Sequence, residues 1–216
     1  MIDIILPTYN EKENIKPMLK MLAQVSKHLK IQFKIIIIDD NSPDKTHTEA
    51  LKYKDKVHLK LIQRPRKMGL GSAYKDALLH CTSDFVLIMD VDLSHNPFDI
   101  IKMVNLQQKR DYDIVIGSRY LNTEKCGAVN WSLKRKIISR GANNLAQIML
   151  NLKSSDVTGS FRLYKANVFR DLVKNVKSTG FSYQMEMLFL AEKIIAKSEK
   201  FLLFSVRECT GKVRWV

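Results

Sequence analysis

Short apolar runs alternate with longer stretches of helical periodicity along the first part of the chain. Strands are predicted at Ile2–Thr8, Gln32–Asp39, Val57–Ile62, Phe85–Asp90 and Asp113–Ser118. Apolar residues recur at helical spacing between them, notably over Asn10–Leu29, Ser72–Cys81 and Asn96–Lys109. Strands that alternate with helices of this length predict βαβ units and a mostly parallel sheet.

The second predicted strand is apolar on both faces. Its centre is the run Ile35–Ile38, which is typical of a central parallel strand with helices above and below it. The helix before this strand is predicted to begin with a capping box formed by Asn10 and Glu13. The helix after it is predicted to begin with Ser42 as the cap and Pro43 as the first helical residue.

The chain beyond residue 120 has a different pattern. A long amphipathic helix is predicted over Trp131–Asn151, a strand at Gly159–Tyr164, a helix at Ser182–Lys197 and a last strand at Lys200–Val206. Because no repeat, low-complexity tract or Gly/Ser linker divides the sequence, we expect one domain over residues 1–216. The predicted fold is α/β and Rossmann-like, with a mostly parallel central sheet, helices on both faces and a mixed C-terminal elaboration.

The composition is that of a globular protein with excess positive charge. There are 36 Lys and Arg against 22 Asp and Glu, and the formal net charge is +14. With 45% hydrophobic residues, the composition argues against disordered and collagen-like classes. The charge makes phosphate-rich partners plausible without identifying them. The three cysteines, Cys81, Cys126 and Cys209, are far apart, which fits a reducing compartment better than a disulfide framework.

The sequence predicts neither a membrane span nor a secretory leader. No apolar stretch approaches the ~18 to 20 residues that a transmembrane helix needs. Met1–Asn10 has neither a basic start nor a small-residue cleavage site. We therefore expect any attachment to a membrane to be peripheral, through surface charge, an amphipathic face or a partner that spans the bilayer.

Acidic and polar residues follow three of the predicted strands. They are the segments Pro7–Glu11, Asp39–Asp44 and Asp90–His95. Ligands of open parallel sheets bind beyond the carboxyl ends of the strands, so these segments are predicted to share one rim.

Asp90 and Asp92 are two residues apart and therefore project the same way if the backbone stays extended. Two such carboxylates suit a hard divalent cation, Mg²⁺ or Mn²⁺. Phosphate oxygens of a ligand often complete the coordination shell of such a cation. A bare Asp-x-Asp motif has an alternative interpretation, in which the two acids only cap a helix or solvate a loop. The position at a strand end, with other acidic ends beside it, favours the metal site.

Two further segments of the rim carry predictions. Asp39 and Asp40 are adjacent and point oppositely, so one is expected to fix the loop while the other faces the cleft. Gly69 and Gly71 precede a predicted helix and are placed to cradle phosphate. They lack the full glycine pattern of a nucleotide loop, however, and a closely packed turn is the favoured interpretation.

The segment from Lys125 to Ser155 contains no acidic residue and six basic ones. A stretch of this length with positive charges only suggests that it binds an anionic ligand or an anionic surface. Arg119 follows a predicted strand, and its guanidinium suits bidentate contact with phosphate. The histidines show no metal-ligand spacing, and His95 is expected only to cap or position the acidic motif beside it.

Together these motifs resemble the dolichyl-phosphate mannosyltransferases of glycosyltransferase family 2. The resemblance runs in order over almost the whole chain and rests on Pro7–Glu11, Asp39–Asp44, Gly69–Ala73, Asp90–His95, Gly117–Tyr120, Leu133–Asn143, Asp156–Tyr164 and Gln184–Met187. It implies a GT-A fold with a donor nucleotide and metal half at 1–120 and an acceptor half at 121–216. It also implies a GDP-mannose donor, Mg²⁺ or Mn²⁺, and transfer with inversion to dolichyl phosphate at the cytosolic face of the endoplasmic reticulum.

The resemblance also implies roles for particular residues. Donor-binding residues would be Pro7, Tyr9, Glu11, Ile38, Asp40, Asp90, Val91, Asp92, Arg119, Arg207 and Lys212. The metal ligands would be Asp90 and Asp92, helped by Ser94, while Asp92, Arg119 and Arg135 would be catalytic, with Arg135 meeting the acceptor phosphate. A phosphate monoester is already ionised near neutral pH, so the acceptor needs no strong general base.

The sequence departs from the family pattern at several places. Val91 replaces the usual Ala, Lys45 replaces a common Gly, and the closing segment Val206–Lys212 lacks the usual Asp and Ser.

Stable residence at the membrane would require small membrane-spanning partner subunits.

Two alternatives remain at this stage. A family 2 transferase with another sugar nucleotide or lipid phosphate is one of them. A basic nucleic-acid-binding module is the more remote one, because no RNA-binding signature or interleaved aromatic pattern accompanies the basic run.

Overall fold

Seven strands form one sheet in the computed structural model, which describes residues 1–119, 133–152, 154–180, 182–193 and 203–207. Only the backbone is described for 133–140, 142 and 203–207. The strands are β1 (Ile2–Thr8), β2 (Phe33–Asp39), β3 (His58–Gln63), β4 (Phe85–Ile88), β5 (Ile114–Ser118), β6 (Arg162–Lys165) and β7 (Leu203–Arg207).

The strand order is β3-β2-β1-β4-β6-β5-β7. Strands β1 to β4 pair in parallel, and β7 pairs in parallel with β5. Strand β6 lies between β4 and β5 and runs antiparallel to both. The mostly parallel α/β sheet predicted from the sequence is confirmed, and the antiparallel strand supplies the mixed character of the later part of the chain.

Helices cover both faces of the sheet, as predicted. They are α1 (Lys12–Leu29), α2 (Thr46–Leu51), α3 (Leu70–Leu78), α4 (Asp99–Arg110), α5 (Leu133–Leu150), α6 (Ala166–Asn175) and α7 (Tyr183–Lys193). One hydrophobic core joins the sheet to α1, α2 and α4, and a second joins it to α3, α6 and α7. Strand β2 contributes alternate isoleucines to the two cores, which explains its uninterrupted apolar run. No described helix is long and apolar enough to cross a membrane.

The predicted starts of the first two helices are wrong. Helix α1 begins at Lys12 without a side-chain cap, and Asn10 has a positive φ of 62°. Ser42 is not a cap either, because its hydroxyl donates to Asp39 Oδ1 at 2.5 Å and accepts the Asn10 N–H at 3.0 Å. Helix α2 begins only at Thr46. The polar side chains after β1 and β2 therefore tie the two loops to each other.

An ion pair fixes the segment that leads into β6. The Arg119 guanidinium, just beyond β5, donates from Nε to Asp156 Oδ2 at 2.7 Å and from Nη2 to Oδ1 at 2.8 Å. Asp156 is fully buried and also accepts the Gly159 N–H at 2.9 Å. Burial acts to raise the pKa of Asp156, but the hydrogen bonds and charge of Arg119 outweigh it and hold the pKa below its ordinary value.

The start of α3 packs against the backbone that precedes α7. Gly71 donates its N–H to the Thr179 carbonyl at 3.0 Å. A Cβ added at Gly71 would lie 2.8 Å from the Ser178 carbonyl oxygen and would also meet the Tyr183 ring. Gly69 has a φ of 89°, a conformation that favours glycine. The packed turn that the sequence favours at these glycines agrees with this geometry.

Replacing Gly71 with Ala is expected to lower the free energy of unfolding by about 1 to 3 kcal/mol, because the new methyl group has no room. The matched control is Gly141→Ala in α5, where an added Cβ meets nothing within 4 Å. The control should keep its stability or gain up to about 1 kcal/mol through helix propensity. Denaturant unfolding measures both, and equal stability of the two variants would contradict the packing.

Replacing Asp156 with Asn is expected to lower the free energy of unfolding at pH 7 by about 3 kcal/mol, because Arg119 loses its charged partner. Since the folded pKa of Asp156 is depressed, its stabilisation is present above its unfolded pKa of about 3.9. The stabilisation is lost as the pH falls through the folded pKa.

Denaturant unfolding of wild type and Asp156→Asn between pH 7 and pH 3 measures this dependence. The difference between the two proteins should narrow below about pH 4. The exposed Asp171→Asn change in α6 is the control and should show little difference at any pH. A difference that stays constant for Asp156→Asn over this range would contradict the ion-pair account.

Candidate active site

A cleft of about 590 Å³ opens at the carboxyl edge of the parallel strands. Eight residues predicted to bind the donor line it, namely Pro7, Tyr9, Glu11, Ile38, Asp40, Asp90, Val91 and Asp92. They come from the ends of β1, β2 and β4, which are adjacent in the sheet. The parallel order of these strands therefore brings together side chains that are up to 85 positions apart in the sequence.

The two carboxylates predicted to bind a metal lie just beyond β4. Asp90 Oδ2 accepts a hydrogen bond from Ser160 Oγ at 2.6 Å and lies 3.3 Å from His95 Nε2. Asp92 Oδ1 accepts the backbone N–H of Ser94 at 2.9 Å. Ser94 itself is not among the residues that line the cleft. The loop geometry therefore orients both carboxylates, and Ser94 contributes to this through its backbone.

The carboxylate oxygens of Asp90 and Asp92 suit a hard cation whose coordination shell also contains oxygens of a bound ligand. Burial acts to raise the pKa of Asp90, but contacts with His95 and Ser160 outweigh it and leave the pKa below its ordinary value. Asp90 is therefore ionised at neutral pH. Among the described residues no group of three or more His, Cys, Asp or Glu side chains is arranged to hold a metal. Two carboxylates with open positions suit Mg²⁺ or Mn²⁺ bound together with phosphate oxygens.

Glu11 adds a third acidic group to the cleft. Burial raises the pKa of Glu11, and repulsion by Asp92 and Asp90 raises it further, while a hydrogen bond from Asn14 acts in the opposite direction. The Asn14 amide donates to Glu11 Oε2 at 2.6 Å. The mutual repulsion means that a cation placed near these carboxylates lowers the electrostatic energy of the site.

The two acids at the end of β2 divide their roles as predicted. Asp39 is fully buried and fixes the loop, accepting from Thr8 Oγ1 at 3.0 Å and from the Ser42 N–H at 3.0 Å. Asp40 faces the cleft and forms a buried ion pair with Arg64. The Met68 N–H completes its contacts at 3.2 Å. Asp40 is therefore held at a fixed position on the cleft wall.

Arg64 and Lys67 line the cleft and were missed by the sequence reasoning. Arg64 follows β3 and, besides Asp40, donates to Ser72 Oγ at 2.6 Å and to the Gly69 carbonyl at 3.1 Å. The Lys67 ammonium lies 4.4 Å from the centre of the Tyr9 ring, within range of a cation–π contact. The signal was available, because both residues follow the carboxyl end of a parallel strand.

The segment before β6 contributes Thr158 and Ser160 to the cleft, and Gly180 and Gln184 also line it. Sequence reasoning assigned no role to these side chains. Gln184 is buried and donates from Nε2 to the Tyr74 hydroxyl at 3.0 Å. Thr158 and Ser160 reach the cleft because β6 lies between β4 and β5, an arrangement that no local sequence pattern predicts.

The remaining predicted residues lie beyond the cleft lining or outside the described side chains. Arg119 is turned towards Asp156 and donates to Thr158 Oγ1 at 2.7 Å, so it touches the cleft wall indirectly. Arg207 ends β7, where its backbone pairs with Ser118 beside Arg119. The side chains of Arg135 and Arg207 and the whole of Lys212 lie outside the described part of the chain.

The sequence matches known proteins over most of its length. Residues 3–173 match the family described as glycosyl transferase family 2. The chain is 34% identical over 193 residues to a dolichol-phosphate mannosyltransferase of Pyrococcus furiosus, covering 87% of this chain and 52% of that protein. It is 32% identical over 195 residues to an undecaprenyl-phosphate mannosyltransferase of Micrococcus luteus, covering 88% and 77%. The chain thus spans about half the length of the first relative.

Solved structures share the fold. A glucosyl-3-phosphoglycerate synthase of M. tuberculosis has a TM-score of 0.66 at 14% identity, covering 100% of this chain and 74% of that one. The S. aureus protein TarS has a TM-score of 0.63 at 20% identity, covering 97% and 36%. These likenesses support the GT-A-type architecture predicted from the motifs. Because the family match extends over most of the sequence, the chain belongs to glycosyl transferase family 2.

Proposed function

We propose that this chain transfers mannose from GDP-mannose to dolichyl phosphate, with inversion and with Mg²⁺ or Mn²⁺. The observation that carries the proposal is the pair of oriented carboxylates, Asp90 and Asp92, in a cleft at the carboxyl edge of the sheet. The relatives at 34% and 32% identity are named as mannosyltransferases of dolichol phosphate and undecaprenyl phosphate. The family assignment gives no support to the nucleic-acid alternative.

The cleft offers opposite charges at two places. Asp90 and Asp92 would hold the cation, which when bound offsets the charge that develops on the departing diphosphate. Lys67 provides positive charge on the β3 side of the same cleft, whereas Arg64 lines that side as the partner of Asp40 in a buried ion pair. Asp40 and Tyr9 line the same cleft, and we assign nucleotide contacts to them on the strength of the family motifs.

Acceptor activation demands little from the protein. A phosphate monoester is ionised near neutral pH, so a phosphate oxygen attacks without a strong general base. The chain's task is to align that oxygen with the anomeric carbon, which favours in-line attack and inversion. We assign phosphate contacts to Arg119, Arg135, Arg207 and Lys212, on the strength of the family motifs and of the β7 register that sets the backbone of Arg207 beside Ser118.

Helix α5 suits a lipid-linked acceptor. Leu145, Ile148 and Met149 are 59%, 78% and 75% exposed and follow helical spacing on one face. The surrounding segment from Lys125 to Ser155 is basic without any acid. An apolar face beside positive charge is typical of peripheral binding to an anionic bilayer. We propose residence at the cytosolic face of the endoplasmic reticulum membrane, made stable by small membrane-spanning partner subunits.

The test of the proposed function is a donor and acceptor screen. GDP-mannose, UDP-glucose and UDP-GlcNAc are each incubated with dolichyl phosphate or undecaprenyl phosphate, with and without Mn²⁺ or Mg²⁺. We expect release of GDP from GDP-mannose that requires both the lipid phosphate and the metal. Acceptor-dependent turnover of a uridine nucleotide instead would replace the donor assignment, and turnover that persists with a chelator would remove the metal.

Replacing Asp92 with Asn is expected to reduce transfer by about 10² to 10³, because the change removes charge from a metal ligand at almost constant volume. Asp171→Asn makes the same chemical change on the exposed side of α6 and should leave the rate unchanged. Initial rates at several Mn²⁺ concentrations, together with the melting temperature, measure the effect. A folded Asp92→Asn protein with full activity and unchanged metal dependence would contradict the assignment of Asp92 as a metal ligand.

Replacing Leu145, Ile148 and Met149 together with Ser is expected to weaken binding to vesicles that contain anionic lipid at least tenfold, since each apolar side chain buried in lipid contributes about 1.5 to 3 kcal/mol. Leu79→Ser is the control, because Leu79 is 82% exposed and follows α3, so that it is not part of the α5 face. Vesicle co-sedimentation at low and high salt measures the affinity. Equal binding of wild type and the triple variant would contradict this role for α5.

A further inference from the structure

The Asp90 carboxylate is held from one side by two buried side chains. Asp90 Oδ2 lies 2.6 Å from Ser160 Oγ and 3.3 Å from His95 Nε2, and these two atoms lie 3.1 Å from each other. Both of these contacts of the carboxylate are made by Oδ2. Among the described residues, Oδ1 of Asp90 has no hydrogen-bond partner and belongs to a residue that lines the cleft.

The register of the sheet explains why Ser160 meets Asp90. Strands β4 and β6 pair antiparallel with Ile88 opposite Arg162. Continuing this register by two residues on each strand sets Asp90 opposite Ser160. Antiparallel partners at such positions have neighbouring side chains on one face of the sheet. The Ser160–Asp90 contact therefore follows the register of the strands, two residues beyond their last pair.

His95 is fixed just as firmly. Its side chain is buried, with 4% of the residue exposed, although it belongs to a loop. The Phe161 ring packs against the imidazole at a centroid distance of 5.1 Å. Phe161 follows Ser160 in the sequence, so one short segment both stacks on His95 and bonds Asp90. His95, Ser160 and Phe161 therefore form one packed unit around the Asp90 carboxylate at the cleft wall.

The direction of the hydrogen bonds follows from the chemistry of the groups. An ionised carboxylate only accepts, so the Ser160 hydroxyl donates its proton to Asp90. His95 Nε2–H then donates to Ser160 Oγ, to Asp90 Oδ2 or to both. This differs from a hydrolytic triad, because Asp90 and Ser160 meet the same imidazole nitrogen and the Ser160 proton points at the carboxylate. The arrangement orients a carboxylate, because the Ser160 proton is donated to Asp90 and not to His95.

We propose that His95 and Ser160 are positioning residues that fix the Asp90 carboxylate so that Oδ1 is presented to the divalent cation. This inference rests on the proposed function, since it concerns how the chain prepares the metal site. Hydrogen bonds to a ligating carboxylate fix its orientation and typically change metal affinity 10- to 100-fold when removed. Asp92 is oriented separately by the Ser94 N–H, so the two ligands are prepared by different parts of the structure.

The experiment measures Mn²⁺ binding directly, by electron paramagnetic resonance titration of the purified chain in the presence of GDP. Ser160→Ala and His95→Leu each remove one hydrogen-bonding group, and His95→Gln keeps an N–H donor near the position of Nε2. Ser83→Ala is the matched control, because Ser83 is also buried and donates to a buried carboxylate, Asp3 Oδ1, at 2.9 Å. Asp3 and Ser83 lie at the opposite ends of β1 and β4 from the cleft.

We expect Ser160→Ala and His95→Leu to bind Mn²⁺ about 10-fold or more weakly than wild type. His95→Gln should recover most of the affinity, and Ser83→Ala should bind as wild type does even if its melting temperature falls. In transfer assays, high Mn²⁺ should restore the rate of Ser160→Ala.

Three results would overturn the inference, and they are distinguishable. A folded Ser160→Ala protein with wild-type Mn²⁺ affinity removes the positioning role and leaves the proposed function intact. Failure of the wild-type chain to bind Mn²⁺ in the presence of GDP removes both. A loss of affinity in Ser83→Ala equal to that in Ser160→Ala would also reject the inference, because it would mark the effect as general destabilisation.

Discussion

The pairing of β6 with both β4 and β5 is the constraint on which the rest of this site depends. A parallel sheet alone would bring the ends of β1, β2 and β4 together. The antiparallel strand adds what precedes it in sequence, and Ser160, Thr158 and Asp156 arrive at the same edge. On the β5 side Gly117 makes room for the Phe161 ring, since a Cβ there would lie 2.6 Å from that ring. A shift of β6 by one residue would turn Ser160 away from Asp90.

Electrostatics then gives the cleft two unlike sides. Asp90, Asp92 and Glu11 gather negative charge around β1 and β4, and their repulsion contributes to the raised pKa of Glu11. Arg64 is neutralised locally by its buried ion pair with Asp40, whereas Lys67 lies exposed over Tyr9. A metal–diphosphate ligand matches this distribution, because its cation meets the carboxylates while its phosphates remain within reach of the basic side.

Local patterns in the sequence predicted the strands and the two helical layers, and the carboxyl-edge rule predicted a shared polar rim. The roles of the eight cleft residues came from the resemblance to the family. An apolar run such as Ile35–Ile38 predicts a buried parallel strand, and the carboxyl-edge rule then places whatever follows it. The same rule applied to β3 would have found Arg64 and Lys67. The direction and position of β6 depend on long-range strand pairing. The position of Ser160 beside Asp90 could therefore not be predicted from local sequence patterns. The helix starts failed for a related reason, because Ser42 and Asn10 bond across two loops rather than within one helix.

The central claim is that Asp90 and Asp92 bind a divalent cation together with a nucleoside diphosphate in the cleft. Crystals of the chain grown with Mn²⁺ and GDP, measured for the anomalous scattering of manganese, test it most directly. The account predicts one anomalous peak at coordination distance, about 2.0 to 2.3 Å, from carboxylate oxygens of Asp90 and Asp92. It also predicts that oxygens of the GDP diphosphate lie in the same coordination shell and that the guanine base of GDP lies near Asp40. Manganese bound elsewhere, or GDP in the cleft without any metal at these carboxylates, would contradict it.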